Sequence, residues 1–156
     1  MKHTIDFFRT TIAENGELSD EVRRFLFLLP LVQVAWAHSA ISPREALVIF
    51  EAARKDGIDG RHWFNERLDS FLVYQPSARF FEECLDLIRE TLSSMTVRER
   101  EKAVAKLLRR CEAVAAAAGD SSLMDTDHRV SAEEKRLLDQ LRDIFGKRQD
   151  GSVAVG

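Results

Sequence analysis

Apolar residues recur at intervals of three and four along most of the chain, and no stretch alternates with the period of two that a half-buried strand requires. Phe81, Cys84, Leu85, Ile88, Leu92 and Met95 fall on one side of a helix at about 100° per residue, as do Phe64, Leu68, Phe71 and Leu72. The longest apolar run, Phe25 to Ala37, is apolar all round, so other helices must surround it. It contains Pro30 and Gln33, follows Arg23 and Arg24, and is shorter than the ~20 residues of a bilayer span. The pattern predicts an all-α fold, a single compact helical domain built around this buried central helix, with no membrane span.

Capping signals divide the pattern into about seven helices. The first covers His3 to Ala13 and stops near Asn15 and Gly16; the second starts after Ser19 and runs to Ala37 with a kink at Pro30. The third opens on Ser42, Pro43, Arg44 and Glu45, which supply a capping hydroxyl, a proline in the first turn and a glutamate that reaches back to the cap. It closes at Gly57, suited to a left-handed cap. A fourth helix follows Asp59, runs to about Tyr74 and is broken by Gln75-Pro76-Ser77, and a fifth spans about Ala78 to Met95. The sixth opens with the capping box Thr96 to Glu99 and reaches Ala118, and the seventh runs from Ser131 to about Gly146. Residues 1–146 therefore read as the domain, and the polar, glycine-flanked residues 147–156 as a flexible tail.

Two segments repeat one another. Val34-Ala35-Trp36-Ala37 leads through a loop to Ile41-Ser42-Pro43-Arg44-Glu45, and Val114 to Gly119 leads through a longer loop to Val130-Ser131-Ala132-Glu133-Glu134. In each, small residues allow close helix approach, an aliphatic residue plugs the loop into the core, and a serine with a glutamate three residues on launches the next helix.

This paired helix–loop–helix resembles the TerB-like family, associated with tellurite resistance, whose all-helical domain carries an Ala-x-Ala-Asp-Gly loop and an aliphatic-Ser-x-x-Glu helix start, once early and once late. The resemblance covers Leu18 to Gly146. It implies a non-enzymatic stress-response interaction module with a divalent cation at its acidic loop residues. In the first unit the family's aspartate and glycine positions hold His38 and Ser39, and Glu45 matches; in the second, Asp120 follows Gly119, and Glu134 matches.

The candidate cation ligands are Asp120, Asp125, Asp127 and Glu134, with His38 and Glu45 from the first loop. Carboxylates held roughly 5 to 6 Å apart repel by on the order of 1 kcal/mol per pair near a surface, which invites a cation. Oxygen donors suit Ca²⁺ or Mg²⁺, whereas Zn²⁺ would want more His or Cys than is present. A simpler account stands beside this one. Glu133 and Glu134 favour the dipole of a first helical turn, Asp125 and Asp127 are solvated, and His38 hydrogen-bonds Glu45 to fix its loop. The segment does not follow an EF-hand, since the sixth position counted from Asp125 is Val130 and the twelfth is Arg136. His62 and Glu66, one turn apart, read as a surface hydrogen bond.

Twenty-three basic and 26 acidic residues leave a formal charge of −3, which gives nucleic-acid binding no support. Arg98, Lys102, Lys106, Arg109 and Arg110 form a basic stripe opposite Val104, Leu107, Leu108, Cys111 and Ala115. Flanking glutamates and the lack of interleaved aromatics make it a solvated face first and a partner surface second. Trp36 and Trp63 fall in the core pattern, with Trp63, Phe64, Phe71 and Tyr74 as an alternative exposed patch for a protein partner. Cys84 and Cys111 sit alone in apolar helical patterns and read as buried thiols. With no signal-peptide pattern at Met1 to Glu17, the expected compartment is cytoplasmic. No nucleophile elbow, phosphate loop or HExxH is present, so no enzyme is expected. A metal-free protein-binding adaptor and a metal-dependent hydrolase are the alternative functions, and a homo-oligomer is compatible with the sequence.

Overall fold

Pro30 sets the first departure from the sequence pattern. The structure, a computed structural model, describes residues 2–15, 19–37, 40–58, 60, 62–120 and 132–155. Its helices are α1 (Lys2–Asn15), α2 (Asp20–Leu26), α3 (Leu29–Ala35), α4 (Pro43–Lys55), α5 (His62–Val73), α6 (Ala78–Ser93), α7 (Val97–Asp120) and α8 (Ala132–Val155), with no strand among the described residues. The fold is all-α, as expected, but the second predicted helix is two helices. Proline has no amide hydrogen, and in a continuous helix its ring would strike the carbonyl of Leu26. The chain instead tightens through Phe27 and Leu28, where Leu28 N–H donates to the Phe25 carbonyl at 3.0 Å, and α3 begins with Pro30 in its first turn.

α3 is the predicted central rod. Leu29, Leu31, Val32, Val34 and Ala35 are fully buried, and α3 packs against α4, α6, α7 and α8. Beside it lies an aromatic cluster. Phe25 meets Phe8 at 5.8 Å between ring centroids, Trp63 at 5.6 Å edge-on, Phe64 at 5.4 Å edge-on and Phe71 at 6.3 Å. Phe64 and Phe71 are therefore core, Trp63 is partly buried, and Tyr74 at 67% exposure stands in solvent. The four do not form one exposed patch.

Trp36 ties the end of α3 to α5, its indole N–H donating to the Phe71 carbonyl at 2.8 Å. That carbonyl belongs to the last turn of α5, where helical acceptors lack a partner within their own helix. Trp36→Phe should therefore cost about 1 to 3 kcal/mol, through one buried acceptor left unsatisfied and a smaller ring. Urea unfolding would measure it, and a loss below about 0.5 kcal/mol would show the bond contributes nothing net.

Both cysteines are buried and free. Burial raises both thiols, Cys84 strongly and Cys111 to about 12, with the neighbouring Glu83 and Glu112 adding to each, so both stay protonated near neutral pH. α8 continues to Val155, past Gly146, where the sequence pattern ends the helix; its described side chains end at Phe145. No helix among the described residues is long and apolar enough to cross a membrane.

Candidate functional site

The end of α4 places one carboxylate against two other helices. Asp56 caps α4, Gly57 follows at φ +75°, and Ile58 N–H donates back to Ala53 O at 3.2 Å while Gly57 N–H donates to Arg54 O at 3.0 Å. These bonds make the left-handed cap that Gly57 predicts, and glycine is needed there for its backbone angle alone, because nothing lies within 4 Å of where its Cβ would be. Ile58 is pulled fully into the core by this turn, which faces Asp56 towards α7.

There Arg110 grips Asp56 with two hydrogen bonds, at 2.8 and 2.9 Å, and Lys106 adds a third at 3.2 Å. From the other side Arg24 Nη1 donates to the Asp56 carbonyl at 2.9 Å, so one residue joins α2, α4 and α7. The Asp56 side chain is 7% exposed and that of Arg110 18%. Burial alone would raise the carboxyl's pKa, but the hydrogen bonds and charges of Arg110 and Lys106 together outweigh it and hold Asp56 below the usual aspartate range.

Around this clasp opens a cleft of about 480 Å³. Phe27, Met95, Ala103 and Leu107 supply its apolar lining. Arg23 and Arg24 stand on the α2 wall, and Lys102, Lys106 and Arg110 on the α7 wall, against the carboxylates of Asp20 and Asp56. Arg23 pairs with Asp20 along its own helix. The stripe read from the sequence is thus split, because Lys102, Lys106 and Arg110 line the cleft whereas Arg98 and Arg109 lie exposed outside its lining. Sequence reasoning missed Arg23, Arg24, Phe27, Asp56 and Met95 as parts of one site. The local hint was a pair of arginines directly before the apolar run.

The predicted cation ligands fall in different places. Ser42 Oγ accepts from Glu45 N–H at 3.2 Å and Glu45 Oε1 accepts from Ser42 N–H at 2.8 Å, which completes the predicted capping box. Thr96 and Glu99 form the second predicted box at 3.2 and 3.0 Å. Glu45 and Glu134, each 1% exposed, are the most deeply buried charged residues among the described residues, and they occupy matching positions three residues after Ser42 and Ser131. The backbone of Asp120 closes the last turn of α7, so the helix extends one residue past Gly119, where the sequence pattern stops it. Asp120's side chain, His38, Asp125 and Asp127 lie outside what is described, as does the side chain of His62. Among the described residues no three His, Cys, Asp or Glu side chains come together as a metal site.

Compared with protein-family models, curated proteins and solved structures, the chain matches none of them.

Proposed function

We propose that this chain is a non-enzymatic interaction module of the TerB-like, stress-response kind, in which the acidic segment between α7 and α8 takes Ca²⁺ or Mg²⁺ and a helical surface takes a protein partner. The observation that carries this reading is the matched burial of Glu45 and Glu134, at 1% exposure each, at the start of the two helices that follow the paired loops. Burying a carboxylate is costly unless its charge is compensated by hydrogen bonds or a cation. At Glu45 the backbone N–H of Ser42 contributes to that compensation. The candidate set Asp120, Asp125, Asp127, Glu134, His38 and Glu45 is dominated by carboxylate oxygens, the donor chemistry of a hard divalent ion.

Titrating the chain with Ca²⁺ or Mg²⁺ while following backbone amide NMR signals should move resonances across residues 120–134, and Glu134→Gln should weaken the response about tenfold or more. Unmoved signals at millimolar ion would remove the cation and leave a metal-free protein-binding adaptor.

A further inference from the structure

We infer that the cleft between α2 and α7 is a docking groove for an acidic, apolar-anchored peptide segment of a partner protein. The inference rests on the interaction-module reading and is independent of the cation.

Five cationic side chains and two carboxylates line the groove, an excess of three positive charges on a chain whose formal charge is −3. Asp20 neutralises Arg23, and Asp56 neutralises one charge of the Arg110 and Lys106 pair. Arg24 donates to a backbone carbonyl and so keeps its charge, and Lys102 forms no ion pair with another described residue. Three positive charges therefore remain to be met, and complementary charge is what steers and orients a partner at such a surface.

Their arrangement selects the kind of anion. Lys102, Lys106 and Arg110 follow one another at four-residue steps and spread over about 12 Å of α7, with Arg24 across from them. A single phosphate or carboxylate needs donors converging on one point, whereas charges strung along a groove match carboxylates strung along a peptide. Phe27 and Met95, both partly buried, line the groove together with buried Leu107, an apolar strip that a nucleic-acid backbone would leave unused. Methionine adapts its shape to varied partners, and grooves between helices accept peptides through apolar anchors at helical spacing.

Fluorescence anisotropy on the full chain tests this, with a panel of labelled peptides of about 12 residues that set Leu or Phe at helical spacing among Glu. Binding should weaken as salt rises and should fall about fivefold or more in Lys102→Glu, while Lys135→Glu on the exposed side of α8 changes it by less than about twofold. Lys102 is exposed and its replacement leaves the core intact; Ala103→Glu, at the apolar strip, should weaken binding as well. Equal losses in Lys102→Glu and Lys135→Glu, no binding by any peptide of the panel, or equal binding of an all-Glu peptide without apolar anchors would each overturn the groove. So would tighter binding of single-stranded RNA than of the peptides. A chain that takes the cation but no peptide keeps the loop site and loses the groove, and the reverse result keeps the groove alone.

Discussion

Phe25→Ala should lower the unfolding free energy by about 3 to 5 kcal/mol, the range for emptying a buried phenylalanine site. Phe25 is fully buried, and four other aromatic rings lie within 6.3 Å of its own, contributed by α1 and α5. Removing it therefore leaves a void with walls on three helices, and none can collapse into it without disturbing the other two. It also forfeits edge-to-face contacts with Trp63 and Phe64, whose geometry adds to simple burial. Against a typical total stability of about 5 to 15 kcal/mol, the loss takes a large share. The measurement is denaturant unfolding, with Phe50→Ala as the comparison. Phe50 is 36% exposed, and its truncation should cost far less. Similar costs for the two variants would mean that the aromatic cluster is not the packed centre described here.

The second large effect is expected at Asp56. Asp56→Ala removes the acceptor of three side-chain hydrogen bonds and leaves Arg110, 18% exposed, without its counter-charge. Breaking a fully buried ion pair costs more, but Lys106 is half exposed and solvent screens part of this one, so the expected loss is about 2 kcal/mol. A double-mutant cycle with Arg110→Ala should return a coupling of about 1 kcal/mol or more, because the two residues touch. A coupling near zero would show the clasp to be incidental.

The clasp also has a pH signature. The Asp56 pKa is held below its ordinary value of 3.8, so the folded state binds its proton less readily than the unfolded chain does. The stabilisation is therefore fully present above the ordinary aspartate value and is lost as the pH falls from there through the lower folded pKa. Between neutral pH and about 5 the gap in stability between the native chain and Asp56→Ala should stay constant. It should narrow only under stronger acid. A gap that closes already near pH 6 would place its origin in some other group.

Local chemistry explains what could be read without coordinates. Ser42 and Glu45 bond across three residues, Thr96 and Glu99 do the same, and Gly57 takes its left-handed angle within a turn of six residues. Such features depend on neighbours in the chain, so residue types at a fixed spacing reveal them. The buried rod is equally legible, since a helix apolar on every face has no stable place at a surface. The division at Pro30 was half legible. Proline marks where a helix fails, but whether it kinks or restarts depends on what packs over the freed backbone, and here that is a core formed by four other helices.

The sequence by itself determined an all-helical chain, its caps and its central rod, because each follows from periodicity or from bonds that span one turn. Only the tertiary structure decided that Asp56 meets Arg110 from 54 residues away, that Arg24 and Lys102 line one cleft, and that Glu45 and Glu134 are buried rather than solvated. Those outcomes rest on how helices cross. A lysine at a given spacing faces water or a groove according to which helix lies beside it, and no local pattern encodes that neighbour.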